Sequence, residues 1–132
     1  MTEKQAIHLY AGGFMSYLVA LTRLMNFRKA NGTIKISTTD VMVLSDYADV
    51  IRKWGEGIRT MQYPLFLADI DAVLDAIKQF SNRMVFQRKL FVGTVVTVTA
   101  ANVNETLEKL MKSNESFIQK LQSVPAYSGN LD

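Results

Sequence analysis

The sequence predicts an all-α fold, a single-domain helical bundle of about five helices. Apolar residues recur at three- and four-residue steps through most of the chain, the period of a helix with one buried face. Helix-ending and helix-starting signals, Asn31-Gly32 and Tyr63-Pro64, fall between these runs. A length of 132 residues with 48% hydrophobic and 20% charged side chains supports one core, not a disordered chain or several domains. The bundle is assigned to residues 1–124. Residues 125–132, opening on Pro125 and containing Gly129, read as a flexible C-terminal tail.

The first helix is expected from about Glu3 to Lys29, with Ile7, Tyr10, Phe14, Leu18, Leu21 and Met25 as its core stripe. Gly12, Ser16 and Ala20 form a ridge of small residues that would admit another helix closely. Asn31-Gly32 reads as the left-handed cap that ends it. Thr33 to Ser37 is a short extended connector. Ser37 and Asp40 resemble a capping box with Asp in place of Glu, opening a second helix over Thr38–Thr60. Its stripe is Leu44, Tyr47, Ala48, Ile51, Ile58 and Met61, with fraying expected at Gly55 and Gly57. Pro64 starts a third helix carrying Phe66, Ile70, Val73, Leu74, Ile77 and Phe80. Asn82–Ala100 is read as a fourth, although Thr94–Thr99 is wholly β-branched and favours a strand on propensity. The last helix starts at a cap formed by Asn102 with Glu105. It buries Leu107, Leu110, Met111, Phe117, Ile118 and Leu121.

Composition excludes several chemistries. The chain contains no Cys, so disulfides, thiolate nucleophiles and Cys-based zinc sites are absent, and a reducing cytoplasm is the simplest setting. His8 is the only histidine and reads as a surface residue. Asp69, Asp71 and Asp75 fall early in a helix, where acids favour the dipole, and read as structural. Gly12-Gly13 lies inside a helical pattern, and Gly55-Glu56-Gly57 lacks the flanking strand and Lys of a phosphate loop. The start Thr2-Glu3-Lys4 is unlike a signal peptide, and the uncharged stretch from Gln5 to Thr22 is interrupted by polar residues, so no membrane span is expected. No enzyme, cofactor or metal is therefore expected.

Charge is the more informative pattern. Residues 1–36 hold Lys4, Arg23, Arg28, Lys29 and Lys35 against Glu3 alone; residues 37–75 carry an acidic excess; residues 76–100 hold Lys78, Arg83, Arg88 and Lys89 with no acid. Arg23, Arg28, Lys29, Arg83, Arg88 and Lys89 are the candidate nucleic-acid-binding residues, contacting backbone without reading sequence. Phe27 and Phe86 lie among them as possible stacking faces or core residues.

In size, helicity and charge pattern the whole chain resembles the small subunit of multisubunit type I CRISPR effector complexes. That resemblance implies a non-catalytic helical subunit in antiviral defence, bound to other protein subunits. It also implies that the six cations meet a guide heteroduplex or displaced single strand, and that the acidic middle faces protein. Filamentous-virus coat proteins are similar in the same respects. The competing class is a protein-only assembly or adaptor unit that uses the Gly12–Ser16–Ala20 ridge, Tyr47 and Trp54 for contacts with other subunits or with copies of itself.

Overall fold

Four amphipathic segments fold as helices in the computed structural model, which describes residues 3–27, 29–60, 64–90 and 95–121. They are α1 (Glu3–Phe27), α2 (Thr38–Thr60), α3 (Pro64–Leu90) and α4 (Ala100–Leu121). Three short strands, β1 (Lys29–Ala30), β2 (Thr33–Ser37) and β3 (Val95–Thr99), form one antiparallel sheet in the order β1-β2-β3. The protein is thus essentially all-α, with four helices where periodicity predicts five. Of the C-terminal tail, residues 125–132 lie outside the described residues.

The fifth helix is lost at Asn82–Ala100. α3 runs through Asn82 to Leu90, and the β-branched run turns into β3. Its intrinsic preference is met because β2 offers a full-length partner, with Thr33 opposite Thr99 and Ser37 opposite Val95. The Asn31-Gly32 pair is a hairpin turn rather than a helix cap. Both residues have positive φ, 52° and 76°, between the paired Ala30 and Thr33, the geometry that a two-residue hairpin requires. Ala100 N–H donates to Gly32 carbonyl oxygen at 2.9 Å, tying this turn to the start of α4.

Two caps can be compared with expectation. Ser37 and Asp40 form the reciprocal box: Ser37 N–H donates to Asp40 Oδ2 at 3.1 Å, and Asp40 N–H donates to Ser37 Oγ at 3.1 Å. At α4 the capping residue is Thr99, whose Oγ1 accepts from Asn102 N–H at 3.1 Å, three residues earlier than the expected cap.

α1 packs chiefly on α2, and α3 on α4. The core joins Tyr10, Phe14, Tyr17 and Leu21 of α1 to Ile51 and Ile58 of α2, Ile70 and Phe80 of α3, and Leu110 and Phe117 of α4. Ile34 and Ile36 of β2 and Val98 of β3 close one end. On α4 the buried line is Val103, Thr106, Leu110, Ser113, Phe117 and Leu121, so the expected Met111 and Ile118 face outward at 56% and 42% exposure. Thr106 and Ser113 complete the three–four spacing as small polar residues, which is why an apolar count misplaces this stripe.

The α1–α2 seam depends on Gly13 rather than on the Gly12–Ser16–Ala20 ridge. A Cβ at Gly13 would stand 2.7 Å from Val50 Cγ1, whereas one at Gly12 meets nothing within 4 Å. Gly12→Ala is accordingly expected to stabilise the protein by about 1 kcal/mol through helix propensity. Gly13→Ala gains the same propensity but overpacks against stiff Val50, a cost of about 1–3 kcal/mol, so a net loss of about 1 kcal/mol is expected. Urea unfolding of both variants checks this; equal stabilisation at the two positions would show slack in the seam. Gly55 plays a similar part, its absent Cβ admitting Ile70 and Tyr10, and α2 continues past Gly57 without the expected fraying.

Candidate docking groove and the basic residues

Side chains of α1 and α2 line a groove between the two helices. α1 contributes Met15, Val19 and Phe27, and α2 contributes Val43 and Tyr47, around a cavity of about 670 Å³. Met15, Val19, Arg23 and Phe27 are spaced i, i+4, i+8 and i+12, which places them in one row along α1. Ser16 and Ala20 also line the groove, so the small-residue ridge borders open space instead of packing under a helix of the same chain. Phe27 is 79% exposed and Val19 45% exposed, a large apolar display for a chain with core to spare. Two charged side chains line the same groove, Arg23 and Asp40. Arg23 has no hydrogen bond or ion pair among the described residues, whereas Asp40 spends Oδ2 on the α2 cap.

The six candidate cations do not share one environment. Arg23 and Lys29 are exposed, near the end of α1 and on β1 respectively, with exposed Lys35 on β2. Arg28 lies outside the described residues. Arg83 is committed to the α3–α4 seam: its Nη1 donates to Asn102 Oδ1 at 2.7 Å and lies 3.9 Å from Glu105 Oε2. Arg88 and Lys89 belong to the last turn of α3, and their side chains, like that of Phe86, lie outside the described residues.

Asp69, Asp71 and Asp75 of α3 each have a different partner. Asp69 is buried and pairs with Lys120 Nζ at 3.0 Å; Asp71 pairs with Arg59; Asp75 accepts from Gln79 Nε2 at 2.9 Å. Among the described residues no group of three or more His, Asp or Glu side chains is placed to hold a metal ion. His8 is exposed, as a surface histidine would be. Trp54 is half-buried, with Lys53 Nζ 4.9 Å from its ring centroid. Among the described residues no helix is long and apolar enough to cross a membrane.

The groove itself was not singled out by sequence reasoning. The available signal was the width of the apolar face of α1: Met15, Val19 and Phe27 are apolar yet fall beside the Ile7–Tyr10–Phe14–Leu21 line. No protein-family model matches the chain, and neither does any curated protein or solved structure.

Proposed function

We propose that this chain is a non-catalytic assembly or adaptor subunit that works by docking a protein in its α1–α2 groove. The observation that carries the reading is the exposed row Met15–Val19–Phe27 with exposed Val43 lining the same groove, apolar surface that the chain's own core leaves uncovered. A second reading, a nucleic-acid-binding subunit of the CRISPR small-subunit kind, is favoured by a different observation. No acid falls between Glu3 and Asp40, and exposed Arg23, Phe27, Lys29 and Lys35 belong to the end of α1 and the hairpin that follows it, offering groups for phosphate contact and base stacking. Docking leads because Arg83 is engaged by Asn102, which removes a cation from the proposed backbone contacts.

One experiment separates the two. A photo-cross-linking residue is placed at Val19, in the groove, or at Lys29, on the basic end, in the full chain expressed in its native cells. Docking predicts protein adducts from position 19 and few from position 29. Nucleic-acid adducts from position 29, falling as salt rises, would instead favour the second reading. No adduct from position 19 would overturn the docking reading.

A further inference from the structure

We infer that the occupant of the groove is a second copy of this chain, laid against the first so that Arg23 of each copy meets Asp40 of the other. The inference deepens the docking reading and rests on it.

The charges of the groove restrict what can fill it. Any occupant brings apolar side chains for Met15, Val19, Phe27 and Val43. It must also answer one cation, Arg23, and one anion, Asp40, both of which line the groove. A uniformly apolar helix would cover Arg23 and Asp40 together and offer neither an opposite charge of its own, which is costly for buried ions. An acidic peptide would satisfy Arg23 and repel Asp40. The α1–α2 face of this chain carries all three components. In a two-fold dimer a contact from residue i to residue j is repeated from j to i, so one cation and one anion on a single patch yield two opposite-charge pairs.

Two further observations agree with a copy of α1 as the inserted element. Of the eight large apolar side chains exposed among the described residues, six lie on α1 and α2: Leu9, Met15, Val19, Phe27, Met42 and Val43. Four of the six, Met15, Val19, Phe27 and Val43, line the groove, and a two-fold interface uses such a patch twice, as both ligand and receptor. The row Met15–Val19–Arg23–Phe27 covers about 18 Å at 1.5 Å per residue, three helical turns. Beside it, Ser16 and Ala20 keep the groove floor low enough for a helix to approach. Asp40 retains a free carboxylate oxygen, Oδ1, while Oδ2 accepts from Ser37 N–H, so a cross-copy pair and the α2 cap are compatible.

Sedimentation equilibrium on the purified full chain tests this. The wild type is expected to approach twice its 14.9 kDa mass as concentration rises toward about 1 mM, the weak end of specific association. Arg23→Glu sets Glu against Asp40 in both pairs, and Asp40→Lys sets Lys against Arg23. Each is expected to weaken self-association by about a hundredfold. Mixing the two variants restores opposite charges in both pairs, so an equimolar mixture is expected to dimerise where neither variant does. Circular dichroism confirms that each variant is folded; Asp40→Lys keeps the half of the cap made by Ser37 Oγ. Should Asp40→Lys fail to fold, Val19→Glu replaces it, and both Val19→Glu and Arg23→Glu must then be monomeric. The inference is overturned by a wild type that remains at monomer mass, by an Arg23→Glu variant that still dimerises, or by folded charge variants whose mixture stays monomeric. A monomeric wild type that still cross-links from position 19 to a different protein overturns self-docking and leaves the docking reading standing.

Discussion

Raising the pH is expected to unfold this protein steeply, with the loss of stability beginning near the ordinary tyrosine value of 10.0. Tyr10 and Tyr17 are 3% and 1% exposed, and burial holds both phenols well above that value. The nearby Asp69 carboxylate pushes Tyr10 further in the same direction, while the charge of Arg52 partly offsets burial at Tyr17. Below pH 10.0 both the folded and unfolded chains keep these protons, and the buried phenols contribute in full. Above it the unfolded chain releases them and the folded chain does not, so proton release drives unfolding. Each tyrosine then removes about 1.4 kcal/mol per pH unit, together about 5 kcal/mol by about pH 12, comparable with the whole stability of a small domain. Far-ultraviolet circular dichroism recorded with tyrosinate absorbance measures this. Helix loss should coincide with the appearance of the tyrosinates of Tyr10 and Tyr17. Tyr17→Phe should make the pH dependence shallower. It should also raise stability at neutral pH by about 1 kcal/mol, because Tyr17 Oη is buried without a hydrogen-bond partner among the described residues. Ordinary titration of Tyr10 and Tyr17 with the helix signal intact would rule out this account.

Lys120→Met is expected to be among the most destabilising single changes on the polar residues. Asp69 on α3 is 7% exposed, and Lys120 near the end of α4 supplies its counter-charge at 3.0 Å. Removing the cation leaves a buried carboxylate without that partner, its charge felt by Tyr10, which itself packs on Phe117 at 5.3 Å between centroids. Breaking a buried pair in this way costs about 3–5 kcal/mol. The Lys120 side chain is 32% exposed, so water lowers the expected cost to about 2–3 kcal/mol. Adding Asp69→Asn to Lys120→Met removes the stranded charge and should recover most of the loss. Urea denaturation midpoints of the two single variants and the double variant measure the coupling. If Lys120→Met unfolds within about 0.5 kcal/mol of wild type, the pair is a surface contact and not a brace between α3 and α4.

The contrast between these residues and the candidate site shows what each level of information carries. The class of fold was legible in the sequence because burying one face of a helix imposes a three- and four-residue apolar period on residues close in sequence. For the same local reason Ser37 and Asp40 could be recognised as a cap before their hydrogen bonds were seen. Charge was legible too, and Arg23, Lys29 and Arg83 could be marked as cations from composition alone. Their partners could not, because Arg83 meets Asn102 across nineteen positions and Lys120 meets Asp69 from a different helix.

Tertiary structure decided the remainder. Val95–Thr99 is a strand because Thr33–Ser37 arrives beside it from the far side of α2 and α3, a pairing that no local window contains. Asn31-Gly32 is a hairpin turn and not a helix cap for the same reason: the chain on either side of it is paired. Gly13, not Gly12, is the close approach, since only the rotation of α1 against Val50 distinguishes neighbouring glycines. The groove follows from that rotation. Once Tyr17 and Leu24 turn into the core, Met15, Val19 and Phe27 are left outside it, apolar residues whose period is legible in the sequence and whose exposure is set by how two helices meet.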